Sequence, residues 1–384
     1  MKIGIVGNYG NNNNGDEAIL LGVITQLTTN FDIKNEDITV FSNNPEQTSE
    51  RYGVKSYPLY YKKGSAPKTF IETVKQSRKY IKDLDVVIIG GGGILMDLYK
   101  REAPLYGTYG ILGHQAGAKV VVYGCGAGPL TSGIGKFFIR RLAKAADSIS
   151  VRDPESKALL ESVGVKKDIQ IIGDPAFTLT TPNKHQRTSS IKKVGVTAVP
   201  YYNIKYWPEA DEEKYKAYVN GMACNLDELI EKKGIEVTFF STKYPQDVWV
   251  TKDIHDAMKH KDKAVLNEEH LSASQLIDIC GQQDVVIGTR LHSIILSLDA
   301  ETPVIGVAYH HKVQHFMQMV GKEDQCLSMD ELSSSSLHFM NMIEQMDNNW
   351  DKVQDEAQKT SAELKAKAAR GLKQFHMLPK KGNA

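Results

Sequence analysis

The 384-residue chain has few cysteines and almost no net charge. Its four cysteines, Cys125, Cys224, Cys280 and Cys326, are far apart and form no CxxC pair. This spacing predicts buried, reduced thiols rather than disulfides or a metal site, and we expect no bound metal. With 47 basic and 46 acidic residues, the formal net charge is +1. No global field attracts nucleic acid, so we expect no nucleic-acid partner.

Long hydrophobic runs are also missing. The apolar run at residues 2–7 is too short for the h-region of a signal peptide, and Asp16 and Glu17 interrupt the sequence that follows. Glycine or charge breaks the other apolar stretches before the roughly 20 residues that a membrane span needs. We therefore expect a cytoplasmic protein, and a position at the inner face of the membrane stays open because the membrane can carry its substrate.

Short apolar runs alternate with longer amphipathic ones along the chain. The runs VVII (86–89) and VVVY (120–123) are continuous, which favours strands buried on both faces of a parallel sheet. Strands separated by helices predict right-handed βαβ units. Near residue 178 the composition becomes polar and aperiodic, and the alternation restarts near residue 194. The pattern predicts an α/β protein with two similar doubly wound halves and a cleft between them.

The predicted domain organisation has four parts. An N-terminal Rossmann-like domain covers 1–178, a linker covers 179–193, and a second Rossmann-like domain covers 194–328. A C-terminal helical segment covers 329–384 and can cross back to the first domain. The predicted strands are 2–6, 38–41, 86–89, 119–123, 148–151 and 169–172, then 194–199, 236–241, 264–266, 284–287 and 303–307.

Three glycine-rich loops follow predicted strands of the first half: GNYG at 7–10, GGGG at 90–93 and GCGAGP at 124–129. In the first loop glycine and asparagine tolerate positive φ, so the chain can turn sharply and present N–H groups to an anion or a sugar hydroxyl. In the other two loops the glycines let a bulky polar ligand approach the backbone closely. The alternative is tight strand–helix packing, with Asp16 as a helix cap. We predict that these loops bind donor or acceptor through Asn8, Gly10, Asp16, Gly91, Gly92 and Gly126.

Charged side chains follow strands in both halves. In SVRD, Arg152 can grip a phosphate or carboxylate with its planar fork, or it can form a surface pair with Asp153. In GTRLHS, Arg290 and His292 lie at a predicted helix start, which attracts anions. An anion there favours the cationic form of His292, which can then donate a proton. The alternative is a hydrogen-bonded core histidine.

The last predicted strand of the second half is followed by YHHK at 309–312. Lys312 adds a basic group to the same rim. His310 and His311 are adjacent, so they point to different sides of the chain, and no carboxylate lies at zincin spacing. These histidines therefore do not predict a metal centre.

Together the motifs resemble the polysaccharide pyruvyl transferase family. They occur in order between residue 3 and about residue 320: GNYGNNNNGDEAIL, VVIIGGGGILMD, VYGCGAGP, SVRDPESKALLESVGV, GDPAF, GTRLHS and PVIGVAYHHKV. The resemblance implies a GT-B-like fold. It also implies transfer of the enolpyruvyl group of phosphoenolpyruvate to two hydroxyls of one sugar in a cell-wall or exopolysaccharide precursor, which gives a cyclic ketal and phosphate. Phosphoenolpyruvate is then a co-substrate, and no cofactor is needed.

The resemblance also implies roles for individual residues. Arg152, Arg290 and Leu291 bind phosphoenolpyruvate, and His292 is the general acid that protonates its methylene carbon. The base for the sugar hydroxyl stays open among four candidates, Asp16, Asp97, Asp153 and His114. Two other functions also stay open on the same fold, a nucleotide-sugar glycosyltransferase and a non-catalytic glycan-binding scaffold. The acceptor sugar, its attachment to a lipid and the oligomeric state are not predicted.

The end of the chain is basic and predicted to be helical from 329 to 374. Two interpretations stay open, a solvated helix face and a weak contact with an anionic membrane that carries a lipid-linked acceptor. The basic side chains concerned are Lys352, Lys359, Lys365, Lys367, Arg370 and Lys373.

Overall fold

The computed structural model describes residues 1–179, 183–207 and 209–380. Its contacts divide the chain into two compact units. The first unit comprises Met1–Leu179 with Leu364–Ala384, and the second comprises Thr180–Glu363. Each unit is an α/β structure built on its own parallel sheet. The predicted linker, 179–193, includes residues 180–182, which lie outside the described residues.

The first unit contains seven strands among its described residues, in the spatial order β3-β2-β1-β4-β5-β6-β7. All neighbouring strands are parallel. The order reverses between β1 and β4, which is the topological switch point of a Rossmann sheet. The elements are β1 (Ile3–Val6), α1 (Asn14–Asn30), β2 (Ile38–Ser42), α2 (Pro45–Tyr52), β3 (Lys55–Pro58), α3 (Ala66–Ile81), β4 (Val86–Gly90), α4 (Glu102–Gln115), β5 (Lys119–Cys125), α5 (Gly133–Ala145), β6 (Ser148–Val151), α6 (Pro154–Ser162) and β7 (Ile169–Ile171).

The second unit repeats this arrangement with six described strands, in the order β10-β9-β8-β11-β12-β13, and all its pairs are parallel. Its switch point lies between β8 and β11. The elements are β8 (Lys193–Thr197), α7 (Glu212–Lys233), β9 (Glu236–Phe239), α8 (Gln246–Ala257), β10 (Ala264–Leu266), α9 (Ala273–Gly281), β11 (Val285–Gly288), α10 (Leu291–Asp299), β12 (Val304–Ala308), α11 (His311–Met319), β13 (Cys326–Ser328), α12 (Met329–Ser334), α13 (His338–Asp347) and α14 (Trp350–Ala369).

Burial of the central strands explains why their sequence is continuous rather than alternating. Every residue of β1, β4 and β11 is buried, because helices cover both faces of each sheet. The predicted fold class, an α/β protein with two Rossmann-like domains, is confirmed. The prediction that every cysteine is buried is wrong for Cys224, which is exposed on α7, and all four cysteines are free.

The linker residues that the structure describes are held against the second unit. Residues 183–190 are mostly exposed, but Thr188 N donates to Gln354 Oε1 at 2.9 Å. Ile191 is buried, and its N–H donates to Asp347 Oδ1 at 3.1 Å. This segment therefore extends the second unit up to β8.

The C-terminal segment is not one long helix. It divides into α12, α13 and α14, followed by a 3₁₀ turn at Arg370–Phe375. The break after α12 lies in a run of serines, where Ser334 Oγ donates to the Glu331 carbonyl at 2.7 Å and competes with the helical pattern. The end of the chain packs in the first unit, where Ser150 Oγ donates to Gln374 Oε1 at 2.6 Å.

Several basic side chains of this segment are exposed, namely Lys352, Lys359, Lys367, Arg370 and Lys373. No helix within the described ranges is long and apolar enough to cross a membrane. If the membrane-contact hypothesis holds, the protein sediments with anionic vesicles at low salt and is released at high salt, since each basic group near such a surface contributes about 1 kcal/mol and salt screens it.

A variant with Lys359→Glu, Lys367→Glu and Lys373→Glu should then lose this sedimentation. A variant with Lys34→Glu, which changes an exposed lysine near Glu36 in the first unit, is the control. Protein that stays in the supernatant at low salt would rule out membrane contact and leave the solvated helix face.

Candidate functional site

The loop after β1 contains a hydrogen-bond network of amides and carboxylates. Asn8 Nδ2 and Asn13 Nδ2 both donate to Asp16 Oδ2, at 2.9 and 2.8 Å. The N-cap of α1 is Asn13, so Asp16 lies in the first turn and is not the cap. Gly10 N donates to Glu17 Oε1 at 2.7 Å. Because two buried carboxylates already occupy this helix start, the loop suits a sugar hydroxyl better than an anion.

The glycines at the ends of β4 and β5 allow close approach of neighbouring groups. Gly92 has φ +68°, and a Cβ there would lie 2.6 Å from Asp16 Oδ1. Gly91 N donates to the Tyr123 carbonyl at 3.1 Å, and Gly126 N donates to the Gly92 carbonyl at 2.8 Å. The N–H groups of Gly91 and Gly126 are therefore paired with backbone carbonyls, and the N–H of Gly10 in the first loop is paired with Glu17. The contribution of these glycines to a site is shape rather than donors.

Arg152 lies at the carboxyl end of β6 and its side chain is only 9% exposed. Nη1 donates to Asp174 Oδ2 at 3.0 Å, and Nε lies 3.5 Å from Asp153 Oδ2. Burial lowers the pKa of Arg152, but the carboxylates of Asp174 and Asp153 outweigh it and raise the pKa above its ordinary value. The pair with Asp153 is therefore present, but the guanidinium is buried rather than at the surface, and Asp174 is its closer partner.

Gly126 leaves room for this guanidinium. A Cβ at Gly126 would lie 3.0–3.2 Å from Nε, Nη2 and Cζ of Arg152. We expect Gly126→Ala to push Arg152 off its rotamer at a cost of about 0.5–1.5 kcal/mol. If Arg152 binds phosphoenolpyruvate, the affinity then falls roughly two- to tenfold. Calorimetric titration with phosphoenolpyruvate measures this change. Gly133→Ala is the matched control, because nothing lies within 4 Å of a Cβ there, and equal affinities in the two variants would contradict the prediction.

The second unit holds Arg290 at the carboxyl end of its switch-point strand, β11. Nε donates to Asp247 Oδ1 and Oδ2 at 2.9 and 2.8 Å, and Nη2 donates to Oδ1 at 2.5 Å. Asp247 is fully buried. Burial lowers the pKa of Arg290, but Asp247 outweighs it and raises the pKa well above its ordinary value. Arg290 is therefore a permanently charged group in a fixed orientation.

A tyrosine and a lysine complete this cluster. Tyr206, on the loop after β8, has its hydroxyl 3.4 Å from Nη1 and Nη2 of Arg290 and 3.4 Å from Lys243 Nζ. Within the described ranges, no carboxylate lies within ion-pair distance of Lys243 Nζ. We name Arg290, Lys243, Tyr206 and Asp247 the cationic cluster, because two cations face one carboxylate.

Leu291 and His292 are the first residues of α10, whose N-cap is Arg290. Both are half-buried. His292 therefore lies two residues from the cationic cluster, as the motif predicts. The roles of Arg152, Arg290, Leu291 and His292 in binding and catalysis stay predictions.

The first histidine after β12, His310, has a structural role. His310 is the N-cap of α11, and its Nδ1 accepts from Lys312 N at 3.3 Å. Partial burial and the neighbouring His311, Lys312 and His315 lower the pKa of His310 to about 4. This histidine is therefore neutral near pH 7. Lys312 is half-buried in the first turn of α11, and its role at the rim stays a prediction.

Three of the four candidate bases fit the role poorly. Asp97 accepts four hydrogen bonds from Thr131 and Ser132, which outweigh the effect of burial and lower its pKa. Asp153 caps α6 by accepting from Ser156 N at 2.7 Å. His114 lies in the last turn of α4, at the amino edge of the sheet and away from the strand-end loops. Asp16 remains, held by two asparagines.

Sequence reasoning missed four residues that shape the two arginine sites: Asp174, Asp247, Tyr206 and Lys243. Asp174 belongs to the GDPAF motif, so a signal for it existed. Asp247 lies 43 residues from Arg290 in a stretch without a motif. Tyr206 lies in a loop rich in aromatic residues, TyrTyr at 201–202 and TyrTrp at 206–207, which could have marked it.

Two Rossmann-like units, each built on a parallel sheet, give the chain a GT-B-like fold, and solved structures share this fold. The UDP-GlcNAc 2-epimerase of Neisseria meningitidis bound to UDP-GlcNAc is 11% identical, with a TM-score of 0.61 over 98% of this chain and 99% of that one. Anabaena Alr3699/HepE in complex with UDP and glucose is 11% identical, with a TM-score of 0.60 over 98% of both chains. At this identity the likeness shows the fold alone.

The chain belongs to the polysaccharide pyruvyl transferase family, whose model matches residues 13–311. It is also similar to the amylovoran biosynthesis protein AmsJ of Erwinia amylovora. The two are 24% identical over 387 residues, covering 88% of this chain and 90% of AmsJ.

Proposed function

We propose that the protein transfers the enolpyruvyl group of phosphoenolpyruvate to two hydroxyls of one sugar in a polysaccharide precursor. The observation that carries the proposal is the cationic cluster at the switch point of the second unit, next to His292. Its two cations and single carboxylate favour an anionic donor over a neutral one. Family membership and the name of the relative AmsJ support a role in polysaccharide synthesis.

Arg290 retains donors for such a ligand. Asp247 occupies the edge formed by Nε and Nη2, while the edge formed by Nη1 and Nη2 faces Tyr206 at 3.4 Å, longer than a strong hydrogen bond. A phosphate or carboxylate oxygen can accept from this edge in a two-pronged contact. Asp247 fixes the guanidinium beforehand, which reduces the entropy lost on binding.

The proposed reaction uses His292 as the general acid. The C2=C3 π electrons of phosphoenolpyruvate take a proton from His292 at C3, and C2 becomes electrophilic. A sugar hydroxyl loses its proton and forms a C–O bond at C2, and the C2–O bond to phosphate breaks. A neighbouring hydroxyl then attacks C2 and closes the cyclic ketal. Arginine charge stabilises the departing phosphate and the carboxylate.

The loop around Asp16 suits the acceptor. Asn8 and Asp16 offer amide and carboxylate groups that can bind sugar hydroxyls, and Gly92 keeps the surface beside them free of side chains. We propose that these groups contact the acceptor and that Gly10, Gly91 and Gly126 line the site beside them.

A nucleotide-sugar glycosyltransferase is the second candidate, since the structural neighbours include proteins solved with UDP or UDP-sugars. Against it, no pair of glutamates that could grip a ribose follows RLHS in the sequence. The donor decides between the two. The protein is incubated with p-nitrophenyl glycosides of glucose, galactose and N-acetylmannosamine, with either phosphoenolpyruvate or UDP-glucose. We expect phosphate from the first donor and no UDP from the second, and the reverse result would establish the glycosyltransferase.

A further inference from the structure

Asp16 is the one base candidate that the motifs leave, and its Oδ2 already accepts hydrogen bonds from Asn8 and Asn13. In the second unit the geometry points to Tyr206 instead. We propose that Tyr206 is a further catalytic residue, which takes the proton of the attacking sugar hydroxyl. This inference rests on the proposed pyruvyl transfer. The residue lies outside the matched motifs, on the loop after β8, and so at the switch point where ligands of such sheets bind.

The hydrogen-bond pattern around Tyr206 sets the direction of its proton. Guanidinium and ammonium groups only donate hydrogen bonds, so the Tyr206 oxygen accepts from Arg290 and Lys243. When a ligand anion takes the Nη1–Nη2 edge of Arg290, the Tyr206 oxygen still accepts from Lys243. Its own O–H must then point away from both cations. Tyr206 is half-buried, so part of the residue is open to solvent.

The charges around Tyr206 favour its ionised form. Arg290 contributes from the N-cap of α10 and Lys243 from the loop after β9, with their charged groups 5.5 and 5.0 Å from the ring centre. Asp247 on α8 opposes them, and Tyr309 after β12 interacts with Arg290. Burial raises the pKa of Tyr206, but Arg290 and Lys243 outweigh it and lower the pKa below its ordinary value.

The lowered pKa distinguishes Tyr206 from other tyrosines of the same unit. Burial raises the pKa of Tyr201, Tyr215 and Tyr218 above the ordinary value. Tyr215, for example, donates to Asp253 Oδ2 at 2.5 Å, and this carboxylate disfavours a phenolate. A phenolate base is therefore stabilised at Tyr206 and destabilised at these neighbours.

The proton balance of the step is complete. The phenolate of Tyr206 accepts the hydroxyl proton as the sugar oxygen forms its bond to C2, while His292 delivers a proton to C3. On ring closure the second hydroxyl gives its proton to the departing phosphate, which leaves as hydrogen phosphate. Tyr206 returns to the phenolate by releasing its proton to water, and His292 takes up one proton from water.

The test separates catalysis from binding. We expect Tyr206→Phe to lower kcat by roughly 10²- to 10⁴-fold, the usual contribution of a general base, while the dissociation constant for phosphoenolpyruvate changes less than about threefold. The control Tyr201→Phe, in the same loop, keeps near-normal kcat. In the wild type we expect kcat to rise with pH as Tyr206 loses its proton. Lys243→Met removes one cation near Tyr206, so in this variant we expect the rise in kcat to occur at higher pH.

Ultraviolet titration of the tyrosines gives a readout that needs no substrate. The wild type should show one tyrosine that ionises below the ordinary range, and this signal should be absent from Tyr206→Phe. Unchanged kcat in Tyr206→Phe, or a loss that weaker phosphoenolpyruvate binding fully explains, would overturn the base role. If the wild type itself forms no ketal from phosphoenolpyruvate, the proposed function fails and the base role fails with it, even where the titration shows the acidic tyrosine.

Discussion

His292→Ala loses nearly all turnover and still binds phosphoenolpyruvate. The expected loss in kcat is about 10²- to 10⁴-fold, because protonation of the methylene carbon takes place only in the transition state. The dissociation constant for phosphoenolpyruvate should change little, since arginine side chains hold the ground-state anion. Steady-state kinetics with phosphate detection and calorimetric titration measure the two quantities separately.

A matched control for this variant is His255→Ala. His255 lies in the last turn of α8 in the same unit, at the amino edge of the sheet, and its Nε2 pairs with the Lys261 carbonyl at 3.1 Å. We expect kcat close to that of the wild type for this control. Near-normal kcat in His292→Ala would show that His292 is not the acid.

Arg290→Lys should weaken phosphoenolpyruvate binding even though the positive charge is retained. Lysine cannot donate to both oxygens of Asp247 and also offer a two-pronged edge to a ligand. Hydrogen bonds to charged groups contribute about 1.5–3 kcal/mol, so the expected loss in affinity is roughly 10- to 150-fold. Arg152→Lys should act in the same direction, because its planar group fits against Gly126 and Asp174.

The surface residue Arg187 provides the control for both arginine variants. It is half exposed and pairs with Asp351 and Asp355 in the second unit. Exposed pairs contribute little, so Arg187→Lys should bind phosphoenolpyruvate like the wild type. Thermal unfolding of each variant separates lost binding from lost stability. Unchanged affinity in both Arg290→Lys and Arg152→Lys would show that these residues do not hold the donor.

The central strands could be predicted because burial on both faces leaves a strong signal in the sequence. The run at 86–89 became β4, Val86–Gly90, and the run at 284–287 became β11, Val285–Gly288. The missed elements lack this signal. Helix α2 buries only Thr48, and the edge strand β3 has no fully buried residue. Prediction from hydrophobic periodicity depends on buried apolar residues. Elements that bury few of them, such as α2 and β3, therefore cannot be predicted in this way.

The arginines and the histidine of the candidate site could be predicted, but their partners could not. Arg152 and Arg290 each follow a buried strand, and this position can be recognised from the sequence alone. Asp174 and Asp247 contact them from 22 and 43 residues away, Asp174 from the loop after β7 and Asp247 from the first turn of α8. Such pairs depend on strand order, which local periodicity does not contain. The sequence predicts presented N–H groups in the loop at 7–10, yet the N–H of Gly10 donates to the Glu17 carboxylate, seven residues away.

Mass spectrometry of the acceptor product tests the central claim most directly. The wild type is incubated with phosphoenolpyruvate and the p-nitrophenyl glycosides, and the masses of the products are compared with those from His292→Ala. A cyclic pyruvate ketal adds the mass of pyruvate less one water to a single sugar. An enolpyruvyl ether adds the same mass, so the products are acetylated before the analysis, and the ketal then carries one acetyl group fewer than the ether because both hydroxyls are consumed. We expect this product from the wild type and almost none from His292→Ala. A product that carries a transferred hexose, or an enolpyruvyl ether with one free hydroxyl as the end product, would contradict the proposed ketal-forming reaction.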